Sequence, residues 1–125
     1  VVSSERGPAL RIARGDVVRV RLDPAEGSEQ RGERPAVVLS PDLVNLHAPI
    51  IVVAPLTTRK TDNVYPFEAL VEPPEGGLTA RSKAMLLHIR GIDRGRVVGR
   101  LGSVTAETMA RLGQALSVAA GLSDM

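Results

Sequence analysis

The chain has 125 residues, 43% hydrophobic and 24% charged, with a mean hydropathy of +0.04. That is the size and composition of one globular domain with its own core, and not of a disordered tail. There is no cysteine, which excludes disulfides, thiol catalysis and cysteine-held zinc; two distant histidines, His47 and His88, leave no expectation of a metal or other cofactor.

Residues 1–13 are broken by Ser, Arg and Gly-Pro, and are expected to form a flexible N-terminal segment ahead of a domain over 14–122. Val1–Arg6 lacks the apolar stretch of a signal peptide, and the longest apolar run, 50–56, is far too short to span a bilayer, so a cytoplasmic location is expected. Residues 16–22 (DVVRVRL) alternate apolar and basic side chains, the period-two signature of a half-buried strand. Residues 23–35 (DPAEGSEQRGERP) then carry no large apolar side chain, and a connection of that length points to function. Residues 36–40 and 50–56 are rich in β-branched residues and suit strands covered on both faces. Residues 65–72 (YPFEALVE) alternate again, Pro73–Gly77 forms a turn, and 84–89 and 96–101 are further strand candidates; His47 falls in a loop. Thr105 can cap a helix running to about Gly121, with Met109, Leu112, Leu116 and Ala119 on its apolar stripe. The expected fold is therefore β-rich α+β: a bent antiparallel sheet or small barrel closed by a C-terminal helix.

Charge is patterned along the chain. Of the sixteen basic residues, Arg81, Lys83, Arg90, Arg94, Arg96 and Arg100 crowd into one segment against Asp93 alone, and an acidic segment, 62–75, precedes it. Such a stripe suits phosphate backbones, or else a solvated surface. With one Tyr and one Phe, modules that stack bases on aromatic platforms are disfavoured. The polar loop gathers Ser28, Glu29, Gln30 and Arg34, with Pro35 stiffening the chain after Arg34. Thr57, Thr58 and Arg59 follow an apolar strand, where hydroxyls and a guanidinium at a strand mouth would hold an anion. His88 lies in an apolar stretch beside Arg90 and reads either as an acid–base group or as a packed strand histidine.

The block over 14–40 resembles the signature of MazF/PemK-type toxins, in Gly27-Ser28-Glu29-Gln30-x-Gly32-x-Arg34-Pro35 followed by a buried strand. Ala54-Pro-Leu-Thr-Thr58, Tyr65-Pro-Phe-Glu68, Gly77-Leu78 and Ile89-Arg90-x-Ile92-Asp93-Arg94 continue it in register, so that the resemblance spans about residues 14–122. It implies an SH3-like, partly open barrel with a C-terminal helix, acting as a homodimer. It further implies an endoribonuclease that cuts single-stranded RNA without a metal and is neutralised by a MazE-like antitoxin. Carried over by position, Arg34 and Thr57 are the implied catalytic pair, and Ser28, Glu29 and Gln30 shape the site. Many relatives have Gln-Ile/Val-Arg where this chain has His88-Ile89-Arg90, which brings His88 forward as an RNA contact. Cleavage would use the neighbouring 2′-hydroxyl as nucleophile, with Arg34 on the phosphate oxygens, Thr57 near the leaving oxygen and Glu29 as base. Two rivals remain at this point: a gyrase-poisoning toxin of the same fold, and a non-catalytic RNA-binding module.

Overall fold

Alternation in the first strand decides the architecture. In the computed structural model, which describes residues 11–22 and 32–123, β1 (Asp16–Arg21) sends Val17 to one side of the sheet and Val18 and Val20 to the other. β2 (Glu33–Val38) and β3 (Ile50–Thr57) do the same, with Val37, Ala54 and Leu56 on the first side and Ala36, Val38, Ile51 and Val53 on the second. The three strands are thus buried on both faces, as their β-branched composition requires.

The sheet has seven strands and all its pairings are antiparallel. β4 (Glu68–Val71) lies at one end, followed by β5 (Ser82–Met85), β3, β2, β1 and β7 (Val97–Ser103), while β6 (Arg90–Asp93) pairs with another stretch of β3. β3 can pair with both β5 and β6 because the chain breaks between them into a 3-10 turn, Leu86–His88. The expected strand over 84–89 is therefore corrected: Leu86 tucks into the core on the first side and His88 is exposed in the turn. β2 begins three residues earlier than the composition suggested and stops at Val38, and β4 keeps only the second half of the expected 65–72. Tyr65 and Phe67 stack instead in the approach to β4, with centroids 5.4 Å apart.

Two elements were not anticipated. β6 is one, and the other is α1 (Asp42–His47), which moves His47 from a loop to the last turn of a helix. Six residues are too few to show a helical period. What fixes α1 is a buried polar knot: Ser40 Oγ donates to Asn45 Oδ1 at 2.6 Å, and Val52 N donates back to Ser40 Oγ at 3.0 Å. Of the expected N-terminal segment 1–13, residues 1–10 lie outside the described residues, while Ile12 is buried in the second core and Ala13 N donates to Asp16 Oδ2 at 2.9 Å.

α2 (Ala106–Ala119) closes the first core by burying Leu112 and Ala115, with Met109, Leu116 and Ala119 partly covered. Thr105 caps it as expected, its hydroxyl accepting from Thr108 N at 3.1 Å. The second half of this cap comes from far away: Glu75 Oε2 accepts from Thr105 N at 2.8 Å. Burial pushes the Glu75 carboxyl up, but the hydrogen bonds from Thr105 and Thr108 outweigh it and hold the group below its ordinary value. Glu75 is delivered by the turn Glu75–Gly77, which lies backbone to backbone on β7. A Cβ on Gly77 would sit 2.0 Å from the Leu101 carbonyl oxygen, and one on Gly102 would sit 2.7 Å from the Gly76 carbonyl carbon.

Candidate active site

The second face of the sheet changes character along its length. Ile51, Val53, Ala36, Val38, Val18, Val20 and Ile92 seal it at one end, and the same alternation then delivers polar side chains at the other. Ala36 pairs with Pro55, so continuing that register by two residues sets Arg34 opposite Thr57, both pointing to this face. Arg90 pairs with Val53 and joins them from the far side of β3.

A cleft of about 600 Å³ opens there. Its floor is apolar, formed by Val20, Leu22, Ala36, Val53, Pro55 and Met85, and its rim carries Arg34, Thr57, Arg59, His88 and Arg90. Arg34 and Thr57 are half-buried, whereas Arg59, His88 and Arg90 are exposed. The strand end is set by a local bond, Arg59 N donating to Thr57 Oγ1 at 3.1 Å. Three guanidinium groups over an apolar floor have the chemistry to hold an anion, since charge-assisted bonds are strengthened by a low dielectric beneath.

Five of the sequence-derived site residues therefore meet at one rim. Thr58 does not. As the residue after Thr57, it faces the opposite way and lines a separate depression with Arg19, Pro35 and Leu78. Ser28, Glu29 and Gln30 lie outside the described residues. The apolar floor had no marker of its own in the sequence, since Leu22, Pro55 and Met85 read as strand ends.

The basic stripe is dispersed by the fold. Lys83 pairs with Glu68 at 2.8 Å, Arg81 with Glu72 at 3.0 Å, and Arg100 with Asp16 at 3.1 Å. Arg94 donates to the Ala48 carbonyl at 3.0 Å and Arg96 to that of Arg21 at 3.3 Å. Of the six, Arg90 alone lines the cleft.

A family model described as PemK-like, MazF-like toxin of type II toxin–antitoxin system matches residues 13–119. The chain belongs to this family. Among its relatives, the endoribonuclease MazF9 of Mycobacterium tuberculosis is 39% identical over 112 residues, 86% of this chain and 94% of that protein. Solved structures agree with this MazF-like fold. An endoribonuclease in complex with its cognate antitoxin, from a mycobacterial species, superposes with a TM-score of 0.75 at 26% identity, covering 91% of this chain and 99% of that one. A MazE–MazF structure from Deinococcus radiodurans gives 0.74 at 30% identity, covering 92% and 100%. The MazF-like toxin thus has the expected sheet-and-helix architecture over nearly its whole length.

Proposed function

We propose that the cleft is the RNA-cleaving centre of this MazF-like toxin, an endoribonuclease acting on single-stranded RNA. The reading is carried by one observation: Arg34 and Thr57, from neighbouring strands, share the rim of a cleft that is wide and cationic enough for a phosphodiester. The 2′-oxygen attacks the adjacent phosphorus and the bond to the 5′-oxygen breaks, leaving a 2′,3′-cyclic phosphate and a 5′-hydroxyl. All covalent changes occur within the RNA, so the protein's task is to stabilise charge and move two protons. The Arg34 guanidinium faces the non-bridging oxygens, where negative charge accumulates in the transition state. The Thr57 hydroxyl bonds the scissile phosphate and helps protonate the departing 5′-oxygen, regaining its proton from water in the open cleft. Arginine stays protonated at any working pH and is a poor base. Glu29 is therefore assigned the 2′-hydroxyl proton, as a carboxylate whose pKa rises when RNA excludes water from it. Arg59, His88 and Arg90 bind the flanking nucleotides, and Ser28 and Gln30 are assigned to substrate binding on the family block alone.

The antitoxin fits the same chemistry. An extended acidic segment of a MazE-like partner would occupy the guanidinium-lined rim in place of RNA. Among the described residues no helix is long and apolar enough to cross a membrane, and the toxin is assigned to the cytoplasm with its mRNA substrates. A homodimer is supported by exposed apolar side chains: Leu43 and Leu46 on α1, and Ile50 and Ile89 next to the β3–β6 pairing.

Arg34→Ala tests the reading. It should abolish cleavage of a single-stranded RNA panel, and with it the cyclic-phosphate ends, while circular dichroism and the thermal midpoint remain close to wild type. Undiminished cutting by that variant would reject the assignment, and a wild-type chain that leaves RNA intact would reject the function.

A further inference from the structure

Lys83 is the buried cation that the proposed chemistry does not use. Its side chain is 6% exposed and its partner Glu68 is 12% exposed, a rare placement for either residue unless they are paired. It pairs directly with Thr57 on one flank and Leu70 on the other, at the centre of the β3–β5–β4 strip. From there its ammonium reaches into the connection between β3 and β4. Lys83 Nζ lies 2.8 Å from Glu68 Oε1, donates to the Asn63 carbonyl at 2.8 Å, and sits 5.8 Å from the centre of the Tyr65 ring. The acceptors are themselves cross-linked: Tyr65 N donates to Glu68 Oε1 at 3.1 Å, and Asn63 Nδ2 to the Tyr65 hydroxyl at 3.2 Å. The ammonium is thus bonded to Asn63 of the loop 58–67 and to Glu68, the first residue of β4, with the loop's Tyr65 ring beside it; the other end of that loop carries Arg59 into the cleft.

We infer that Lys83 is a positioning residue for RNA binding, a buried tether that fixes the 58–67 loop and so holds Arg59 at the rim. A plain strand-stabilising role does not call for a charge here. A buried ion pair contributes little net stability over an apolar pair of similar volume, whereas its directed bonds select one loop conformation. Arg59 is exposed and its guanidinium ends a flexible side chain, so its place at the rim depends on its backbone being held.

The inference rests on the RNA-cleft reading, and the experiment separates the two. Lys83→Met alone strands the Glu68 carboxylate and is expected to lower the thermal midpoint, so the informative protein is the double variant Lys83→Met/Glu68→Leu, which leaves neither charge. That variant should recover most of the lost midpoint yet still show a KM for a short RNA substrate raised about tenfold, with kcat nearly unchanged. In an Arg59→Ala background the same pair of changes should add nothing further to KM, because the group being positioned is gone. Recovery of wild-type KM in the double variant, or an undiminished KM increase in the Arg59→Ala background, would overturn the tether. Amide hydrogen exchange at residues 61–65, faster in the double variant, checks it without RNA; unchanged protection there would overturn it even if the toxin cleaved nothing.

Discussion

At the scale of single residues, the rim of the cleft is where side chains of one type have very different roles. Arg34 is half-buried opposite Thr57, whereas Arg90 is exposed on the strand beyond β3. Arg90→Gln is therefore expected to weaken RNA binding while leaving the proposed Arg34 and Thr57 pair in place. If it contacts one phosphate, the slope of log K against log salt should fall by about 0.7 for a single strand, measured by fluorescence titration with an Arg34→Ala protein that cannot cut. That Arg34 and Thr57 share one cleft was legible in the chain because Arg-Pro and Pro-Leu-Thr are positions in a recognisable block. Thr58 lies away from Thr57's cleft for a simple reason: adjacent residues at a strand end point to opposite faces, so only one of the two can line a given cleft. The basic stripe, open in the sequence between a phosphate-binding and a solvated reading, could not be resolved from its own segment. Charge counted along a segment ignores the partners brought by other strands, and Glu68, Glu72 and Asp16 all arrive from elsewhere in the sheet.

At the scale of elements, strands with clear alternation and the amphipathic C-terminal helix were readable, and short or interrupted elements were not. The run 84–89 looks like a strand because Ala, Met, Leu and Ile all suit one. It is broken because β3 must pair with β5 and with β6 in turn, a demand made by tertiary structure alone. The start of α2 is likewise only half local. Thr105 was visible as a cap, but the carboxylate that accepts its amide belongs to Glu75, thirty positions away. Because hydrogen bonding holds Glu75 below its ordinary value in the folded protein, its contribution is fully present above the unfolded pKa and is lost as pH falls through the folded one. The thermal midpoint should therefore drop on acidification through that window. Glu75→Gln should lower it at neutral pH and flatten this part of the profile, as calorimetry over a pH series would show.

At the scale of the whole molecule, burying the sheet on both faces divides labour between two cores. The core beneath α2 lies on the opposite face of β1, β2 and β3 from the cleft, while the other runs directly into the cleft floor. Leu112→Ala, in the α2 core, should cost about 2–5 kcal/mol of stability in urea unfolding. At temperatures where the variant stays folded, its kcat should match wild type. The proposed homodimer is testable at α1, where Leu43 and Leu46 are exposed. Leu46→Glu on α1 is expected to shift the toxin from dimer to monomer in sedimentation velocity, with the secondary structure retained.

The contact of Gly77 and Gly102 with the facing backbone bears on how resistant cells would arise. A side chain at either position would force the Glu75 turn off β7 and unseat the start of α2. Survivors of forced expression should then fall into two groups on an immunoblot: those altered at Arg34, with abundant inert protein, and those altered at Gly77 or Gly102, with almost none.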